Sequence, residues 1–326
     1  MSENYWSQML SDPLPGRVAK PRLSGLTMVI DTGLPLSVMR DLLQTGAEYV
    51  DFWKFGFASS SVYPSEVIAN KISLCQEYGV LAYSGGTSLE IAFLQGIWQK
   101  YVDAQWAAGI RVLEVSDGTI DLPLKVRRDM IRAAHAKGFT VLSEVGKKQP
   151  GRFLPVGEQS VLIQGDLRAG ADYIIVEGRE GGMGVGVYDT DGNVRENDVQ
   201  ALLNALGPLS TRLIWEAPLK KQQIYYVNTL SNRVNLGNVY PLDLVPLESL
   251  RRGLRSDTLS PSQYATEGIS HDSGALNAIP QNPLPNAWTA GTSGNKDAWK
   301  KHPPRPTLWV DKEGHSPNDP PRRGKS

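Results

Sequence analysis

Thr140-Val141-Leu142-Ser143-Glu144-Val145-Gly146-Lys147-Lys148 begins as a β-branched, apolar run and finishes in carboxylate, glycine and lysine. Such a run reads as a buried strand, and its charged tip marks where the chain leaves the core. Seven further apolar runs end in a polar or glycine-containing tip, at residues 26–31, 49–56, 80–86, 111–118, 173–180, 213–218 and 233–239. Stretches with apolar residues at three- and four-residue spacing accompany them, at 37–44, 64–78, 89–108, 123–137, 158–169, 197–206, 219–230 and 242–252. That is the helical period. Gly46, Gly79, Gly109, Gly138 and Gly170 follow several of these stretches, as expected where a helix stops in a left-handed cap before the next strand. The alternation predicts a (β/α)8 barrel over residues 22–260, preceded by an irregular lead-in, 1–21. In this fold the C-terminal ends of the strands converge on one face, where active sites lie, so tips far apart in sequence are expected to share a pocket.

The bulk composition narrows the function. Lys+Arg and Asp+Glu both number 34, so the net charge is zero and nothing points to nucleic acid or an anionic membrane. The expected partners are small molecules, with self-association into a homo-oligomer. Cys75 is the one cysteine, which leaves no disulfide or thiolate metal site. No basic leader precedes an apolar core and no run approaches the roughly 20 apolar residues that span a bilayer, so a cytoplasmic location is expected. Ten of the 22 prolines fall after residue 260, among Ser, Asn, Gly and Lys without apolar periodicity. Residues 261–326 are therefore expected to be a disordered tail, with Trp288, Trp299 and Trp309 as possible docking points.

Histidine is placed away from the strand tips: His271, His302 and His315 lie in the tail and His135 in a helical stretch. Acid–base chemistry therefore falls to the lysines and carboxylates of the tips. These are Asp31, Lys54, Glu114, Glu144 with Lys148, Glu177 with Arg179, and Glu216. Period-two alternation puts Glu144, Gly146 and Lys148 on one side of their strand and Lys147 on the other. Glu114, Glu144 and Glu177 occupy comparable positions on three successive strands. Adjacent carboxylates repel, and a bound Mg2+ is the simplest neutraliser, since that ion takes oxygen ligands and keeps water or substrate oxygens. Pairing with Lys54, Lys148 or Arg179 is the structural alternative. The run Glu177-Gly178-Arg179-Glu180-Gly181-Gly182-Met183-Gly184-Val185-Gly186 brings glycine-rich backbone beside an arginine, a composition suited to an anion clamp or to a plain flexible loop. It has neither P-loop nor dinucleotide spacing. Ser84-Gly85-Gly86-Thr87 and Asp117-Gly118-Thr119 are weaker loops of the same kind.

Laid out in order, these residues resemble the phosphosulfolactate synthase family over roughly residues 20–260. The matching segments are Ile30-Asp31-Thr32-Gly33-Leu34, Tyr49-Val50-Asp51-Phe52-Trp53-Lys54-Phe55-Gly56, Gly85-Gly86-Thr87, Leu113-Glu114-Val115-Ser116-Asp117-Gly118, Leu142 to Lys148, Glu177-Gly178-Arg179-Glu180, Trp215-Glu216-Ala217-Pro218, Val234-Asn235-Leu236-Gly237-Asn238 and Leu250 to Thr258. The resemblance implies a Mg2+-dependent barrel that adds sulfite to phosphoenolpyruvate, giving (2R)-phospho-3-sulfolactate for coenzyme M or sulfolactate formation. It makes Lys148 the lysine acid, the position that alternation also places beside Glu144. On this reading Glu144 and Lys54 share in the chemistry, Glu114, Glu144 and Glu177 hold the metal, and Lys54 and Arg179 clamp anions. Asn235 and Asn238 are expected to bind substrate, with Asp31, Lys147 and Glu216 as further pocket residues. The family often has Gly-Thr-Ser where this chain has Ala58-Ser59-Ser60, proline where it has Ser84, and serine where it has Gly182. Those departures bear on substrate more than on fold. Another barrel lyase or aldolase using a lysine Schiff base, and a non-catalytic, heat-stress-associated member of the family, are the two competing readings.

Overall fold

A computed structural model describes Trp6 and residues 9–148 and 154–259. The expected tail, with its three tryptophans, lies outside the described residues. Eight strands alternate with helices: β1 (Thr27–Asp31), β2 (Phe52–Phe55), β3 (Leu81–Ser84), β4 (Val112–Val115), β5 (Thr140–Val145), β6 (Tyr173–Val176), β7 (Leu213–Glu216) and β8 (Asn235–Val239). The pairings among these eight strands are parallel, in the order β3-β2-β1-β8-β7-β6-β5-β4. The sheet curls into a nearly closed barrel whose break in the ladder falls between β3 and β4.

The helices among the described residues are α1 (Leu36–Gly46), α2 (Ser65–Glu77), α3 (Thr87–Leu94), α4 (Trp98–Ala107), α5 (Leu124–Lys137), α6 (Val156–Ala169), α7 (Glu196–Leu206), α8 (Lys220–Leu230) and α9 (Leu244–Arg251). Prolines 35, 64, 123 and 155 stand immediately before α1, α2, α5 and α6. Their fixed φ suits a helix entry, where an amide donor has no partner to lose. The stretch expected as one helix over 89–108 is two, because Gly96 turns left-handed (φ 70°) between α3 and α4. Gly79, Gly109, Gly138 and Gly170 do end their helices at positive φ. Gly46 does not: its φ is −146°, and a Cβ there would press on the Leu244 side chain at 2.8 Å, so close packing explains that glycine.

Side chains of alternate strand residues point into the barrel or out toward the helices. Trp53, Phe55, Val115, Ile174 and Trp215 are buried, and with Met39, Leu43, Cys75, Met130, Ile131, Ile163 and Leu202 from the helices they belong to one continuous core. Charge lies at the C-terminal end of the barrel, where Ile30, Lys54, Glu114, Glu144, Glu177 and Glu216 line one cavity. The opposite end is closed by the lead-in: Arg17 bonds Glu248 at 2.9 Å and Arg252 bonds Asp12. β8 carries a register shift against β1, where Thr27 faces Leu236 but Val29 faces Val239. The extra residue on β8 is accommodated with Asn238 in the left-handed region (φ 50°), tolerable for asparagine, and Asn238 borders the cavity. No helix among the described residues is long and apolar enough to cross a membrane.

Candidate active site

The cavity at the strand tips holds about 350 Å3, enough for a small organic phosphate. Its floor is a cluster of four glutamates and two lysines. Lys54, from β2, lies 3.1 Å from Glu114 Oε2, 3.2 Å from Glu216 Oε1 and 3.7 Å from Glu144 Oε2. Lys148 follows β5 and lies 3.0 Å from Glu144 Oε1 and 3.8 Å from Glu177 Oε2. The register explains the convergence: Ile30 pairs with Lys54, Lys54 with Tyr83, and Glu216 with Gly237, so inward positions of neighbouring strands form one layer.

Backbone amides complete the frame. Glu114 Oε1 accepts from the Gly86 N–H at 2.6 Å, and Glu216 Oε2 accepts from the Gly178 and Arg179 N–H groups at 2.9 and 3.0 Å. Glu177 Oε1 accepts from the same Arg179 N–H at 2.7 Å. Thus Glu216, placed in the pocket by its sequence position, ties the β6 exit to β7. Arg179 borders the cavity with its side chain 40% exposed, and among the described residues its guanidinium approaches Glu180 and the Lys148 carbonyl. It remains available to an incoming anion. Thr87, at the start of α3, faces Lys148 Nζ at 3.4 Å, and Phe57 and Ile91 form an exposed apolar rim.

Electrostatics separates the carboxyls. Burial opposes ionisation of Glu144, but Lys148 and Lys54 outweigh it and pull that carboxyl down to about 2. Glu177 goes the other way: burial, then the negative Glu144 and Glu216, push it well above the ordinary glutamate value. Burial also raises Glu114 against the pull of Lys54. Burial disfavours the charged form of Lys148, yet Glu144 and Glu177 hold the ammonium well above the usual lysine value. Lys54 is held protonated in the same way by Glu114 and Glu216.

The donor set suits a hard cation. Four carboxylates facing two ammoniums would, if all ionised, leave two negative charges uncompensated. Glu114 Oε2, both Glu144 oxygens and Glu177 Oε2 are buried with no aligned hydrogen bond; the lysines reach them as ion pairs only. All are oxygen donors, as Mg2+ requires. Among the described residues, no three His, Cys, Asp or Glu side chains stand close enough around one point to hold a metal ion. Glu114 is turned toward Lys54 and Gly86, so Glu144 and Glu177, which flank Lys148, are the pair with oxygens to offer.

Several residues lie elsewhere than the sequence suggested. Asp31 is outside the barrel: its carboxylate accepts from Lys71 Nζ at 2.6 Å, Trp53 Nε1 at 3.2 Å and the Gly33 and Leu34 amides. Ile30, one residue earlier, faces the cavity instead, and alternation requires that Asp31 does not. Asn235 begins β8 and is therefore at the opposite end, where its amide joins the Thr211 and Leu213 carbonyls and its Oδ1 accepts from the Leu26 N–H. It does not border the cavity. Lys147 also points away, to the Asp117 carbonyl at 2.8 Å and the Ile120 carbonyl at 3.2 Å. Lys54 is not a free clamp, because three carboxylates surround it. Lys148, Glu144, Glu177, Glu114, Glu216, Arg179 and Asn238 do meet at the cavity.

Some contributors escaped sequence reasoning. Tyr83 is fully buried, and burial and then the negative Glu114 push its hydroxyl well above the usual tyrosine value against the opposing pull of Lys54. Arg127, fully buried on α5, donates to Ser143 Oγ and the Glu144 carbonyl at 2.6 and 2.7 Å and so props β5 from behind. The Tyr83 strand position was available from alternation; nothing in the sequence marks Arg127 off from other helical arginines.

The family model for (2R)-phospho-3-sulfolactate synthase (ComA) matches residues 15–257. The chain is 40% identical over 247 residues to the phosphosulfolactate synthase of Methanothermobacter thermautotrophicus, covering 75% of this chain and 95% of the relative. It is 40% identical over 236 residues to that of Methanocaldococcus jannaschii, covering 72% and 93%, and 34% identical over 247 residues to that of Bacillus subtilis, covering 75% and 96%. The matched span contains every strand and every residue of the glutamate–lysine cluster, and by that match the chain belongs to the phosphosulfolactate synthase family.

Proposed function

We propose that this protein is an enzyme that adds sulfite to C3 of phosphoenolpyruvate, giving (2R)-phospho-3-sulfolactate. The observation that carries the reading is Lys148: a lysine held as its ammonium by two glutamates, at the wall of a cavity that also presents the partly exposed Arg179, in a chain of this family. Sulfite brings its own lone pair, so the protein has no nucleophile to make. The carbon–sulfur bond forms at C3, the C2–C3 π electrons move to C2 and its carboxylate, and a proton from Lys148 closes the sequence at C2. Arg179 suits the phosphate, since its planar fork bonds two oxygens at once. Phe57 and Ile91 at the rim keep water from the carbanionic centre once substrate fills the mouth.

Mg2+ held by Glu144 and Glu177 would supply positive charge to the substrate carboxylate as negative charge grows there. The same two glutamates set the proton affinity of Lys148. A Schiff-base aldolase is disfavoured by that electrostatics, because an amine must be deprotonated to attack a carbonyl and both pocket lysines are held protonated.

The test is to mix purified protein with Mg2+, sulfite and phosphoenolpyruvate and to seek the sulfonate adduct by mass spectrometry. A product whose mass is the sum of phosphoenolpyruvate and bisulfite is expected. No adduct, or a borohydride-trapped lysine conjugate, would overturn the proposal.

A further inference from the structure

Arg179 sits at φ 57°, in a left-handed conformation that a side chain of its size adopts only where its surroundings impose it. Those surroundings are specific. Its N–H is shared between Glu177 and Glu216, and its carbonyl accepts from Asn238 Nδ2 at 3.1 Å. The next carbonyl, of Glu180, accepts from the Tyr240 hydroxyl at 2.7 Å. Two residues further, the Gly182 carbonyl accepts from Gln222 Nε2 at 2.7 Å, and Gln222 is fully buried. The glycine-rich segment after β6 is thus tied down carbonyl by carbonyl from the β7 and β8 exits.

Tyr240 does not border the cavity, and its ring is half-buried beyond the end of β8. Its hydroxyl donates to the carbonyl of Glu180, in the Glu180–Gly181 peptide that follows Arg179 along the chain, so its influence on the cavity runs through that peptide. We propose that Tyr240 is a positioning residue that acts through Arg179, holding the Glu180–Gly181 peptide next to that left-handed residue so that the Arg179 guanidinium faces the cavity as a grip for the substrate phosphate. This rests on the assignment of Arg179 as that grip. A loop left free to relax would let Arg179 return to the ordinary right-handed or extended region and swing its side chain off the mouth.

The experiment compares wild type, Arg179→Ala, Tyr240→Phe and the double variant. For each, the Kd of inorganic phosphate is measured by calorimetry, and KM and kcat are measured for phosphoenolpyruvate. Phosphate affinity reads Arg179 whether or not sulfite is the second substrate, so it separates this proposal from the reaction assigned above. Tyr240→Phe removes one hydroxyl and should raise phosphate Kd and KM together by about two- to tenfold, the worth of one hydrogen bond, with kcat and melting temperature nearly unchanged. In the Arg179→Ala background the same change should add nothing. An additive effect in that background, an unchanged Kd in Tyr240→Phe, or a loss confined to kcat would overturn the positioning role. If Arg179→Ala itself leaves phosphate Kd unchanged, the grip is misassigned and the role of Tyr240 falls with it.

Discussion

Lys148 Nζ stands 3.0 Å from Glu144 Oε1, both residues on the cavity side of the β5 exit. The ammonium is therefore already charged and already oriented before substrate arrives, which is the state a proton donor needs. Lys147 takes the opposite side, bonded to the Asp117 carbonyl. Under the proposed reaction Lys148 therefore has a chemical duty, whereas Lys147 has a structural one.

Replacing Lys148 with methionine keeps most of the stem and removes the proton. Turnover should fall by about 10²-fold or more, the usual worth of a general acid, with the melting temperature little changed. Lys147→Ala should instead lower the melting temperature and cost less turnover. Steady-state kinetics and thermal melts on both variants check this, and comparable kinetic losses at the two positions would remove the distinction.

The barrel was legible because each strand is a short apolar run with a polar or glycine-containing tip and the stretches between keep a helical period, two signals that burial imposes along the chain. The site was legible only where alternation was applied. Counting by twos from Glu144 placed Lys148 inside and Lys147 outside; the same counting on β1, where Ile30 faces the cavity, would have put Asp31 outside. Asn235 was misplaced because a strand has two ends and its motif spans the wrong one. Partner choice was legible only as the alternative that the glutamates pair with Lys54, Lys148 or Arg179, and the first two of these do so. That Lys54 binds three glutamates, or that Tyr240 reaches Glu180, depends on side chains meeting across 162 and 60 residues of sequence.

Clustered carboxylates without histidine or cysteine favour a hard cation, so chelation should abolish activity and Mg2+ should restore it. Glu144→Gln should raise the Mg2+ concentration needed for half-maximal rate. Elemental analysis alongside the assay checks the metal content; full activity in metal-free protein would reject a metal-assisted mechanism.

Stability should carry the signature of Glu177. Its carboxyl is pushed well above the ordinary glutamate value by burial and by Glu144 and Glu216, so the folded state binds more protons than the unfolded one. The stability from that group is present at acidic pH and lost as pH rises through the raised value. Glu144, drawn down to about 2, acts oppositely and is lost only in strong acid. Denaturant titrations of metal-free protein between about pH 5 and pH 9 should therefore show declining stability that Glu177→Gln flattens. An unchanged slope in that variant would contradict the assignment of the proton to Glu177.

Asp31 and Lys71 are both fully buried and 2.6 Å apart, behind the β1 tip. Removing one partner strands a charge in the core, so Lys71→Met should destabilise by about 3–5 kcal/mol, whereas the paired change Lys71→Met with Asp31→Leu should cost less. Chemical denaturation of the two variants decides it. Equal losses would mean that Asp31 depends on its contacts to Trp53 and the Gly33 and Leu34 amides more than on the lysine.

Gly118 lies against the stem of Lys148: a Cβ built there would stand 2.9 Å from Cε and 3.0 Å from Cδ and Cγ, while the Gly118 carbonyl accepts from the Lys148 N–H at 3.1 Å. The backbone of Gly118 is not left-handed, so alanine fits the chain itself and only the lysine must move. A flexible stem yields cheaply in stability but carries its ammonium away from Glu144. Gly118→Ala should therefore lower kcat by roughly tenfold, consistent with a misplaced general acid, while the melting temperature and phosphate affinity stay near those of wild type. The comparison with Lys148→Met is decisive: in that background the glycine change should have no further kinetic effect, and an independent loss there would show that Gly118 serves something other than the position of Lys148.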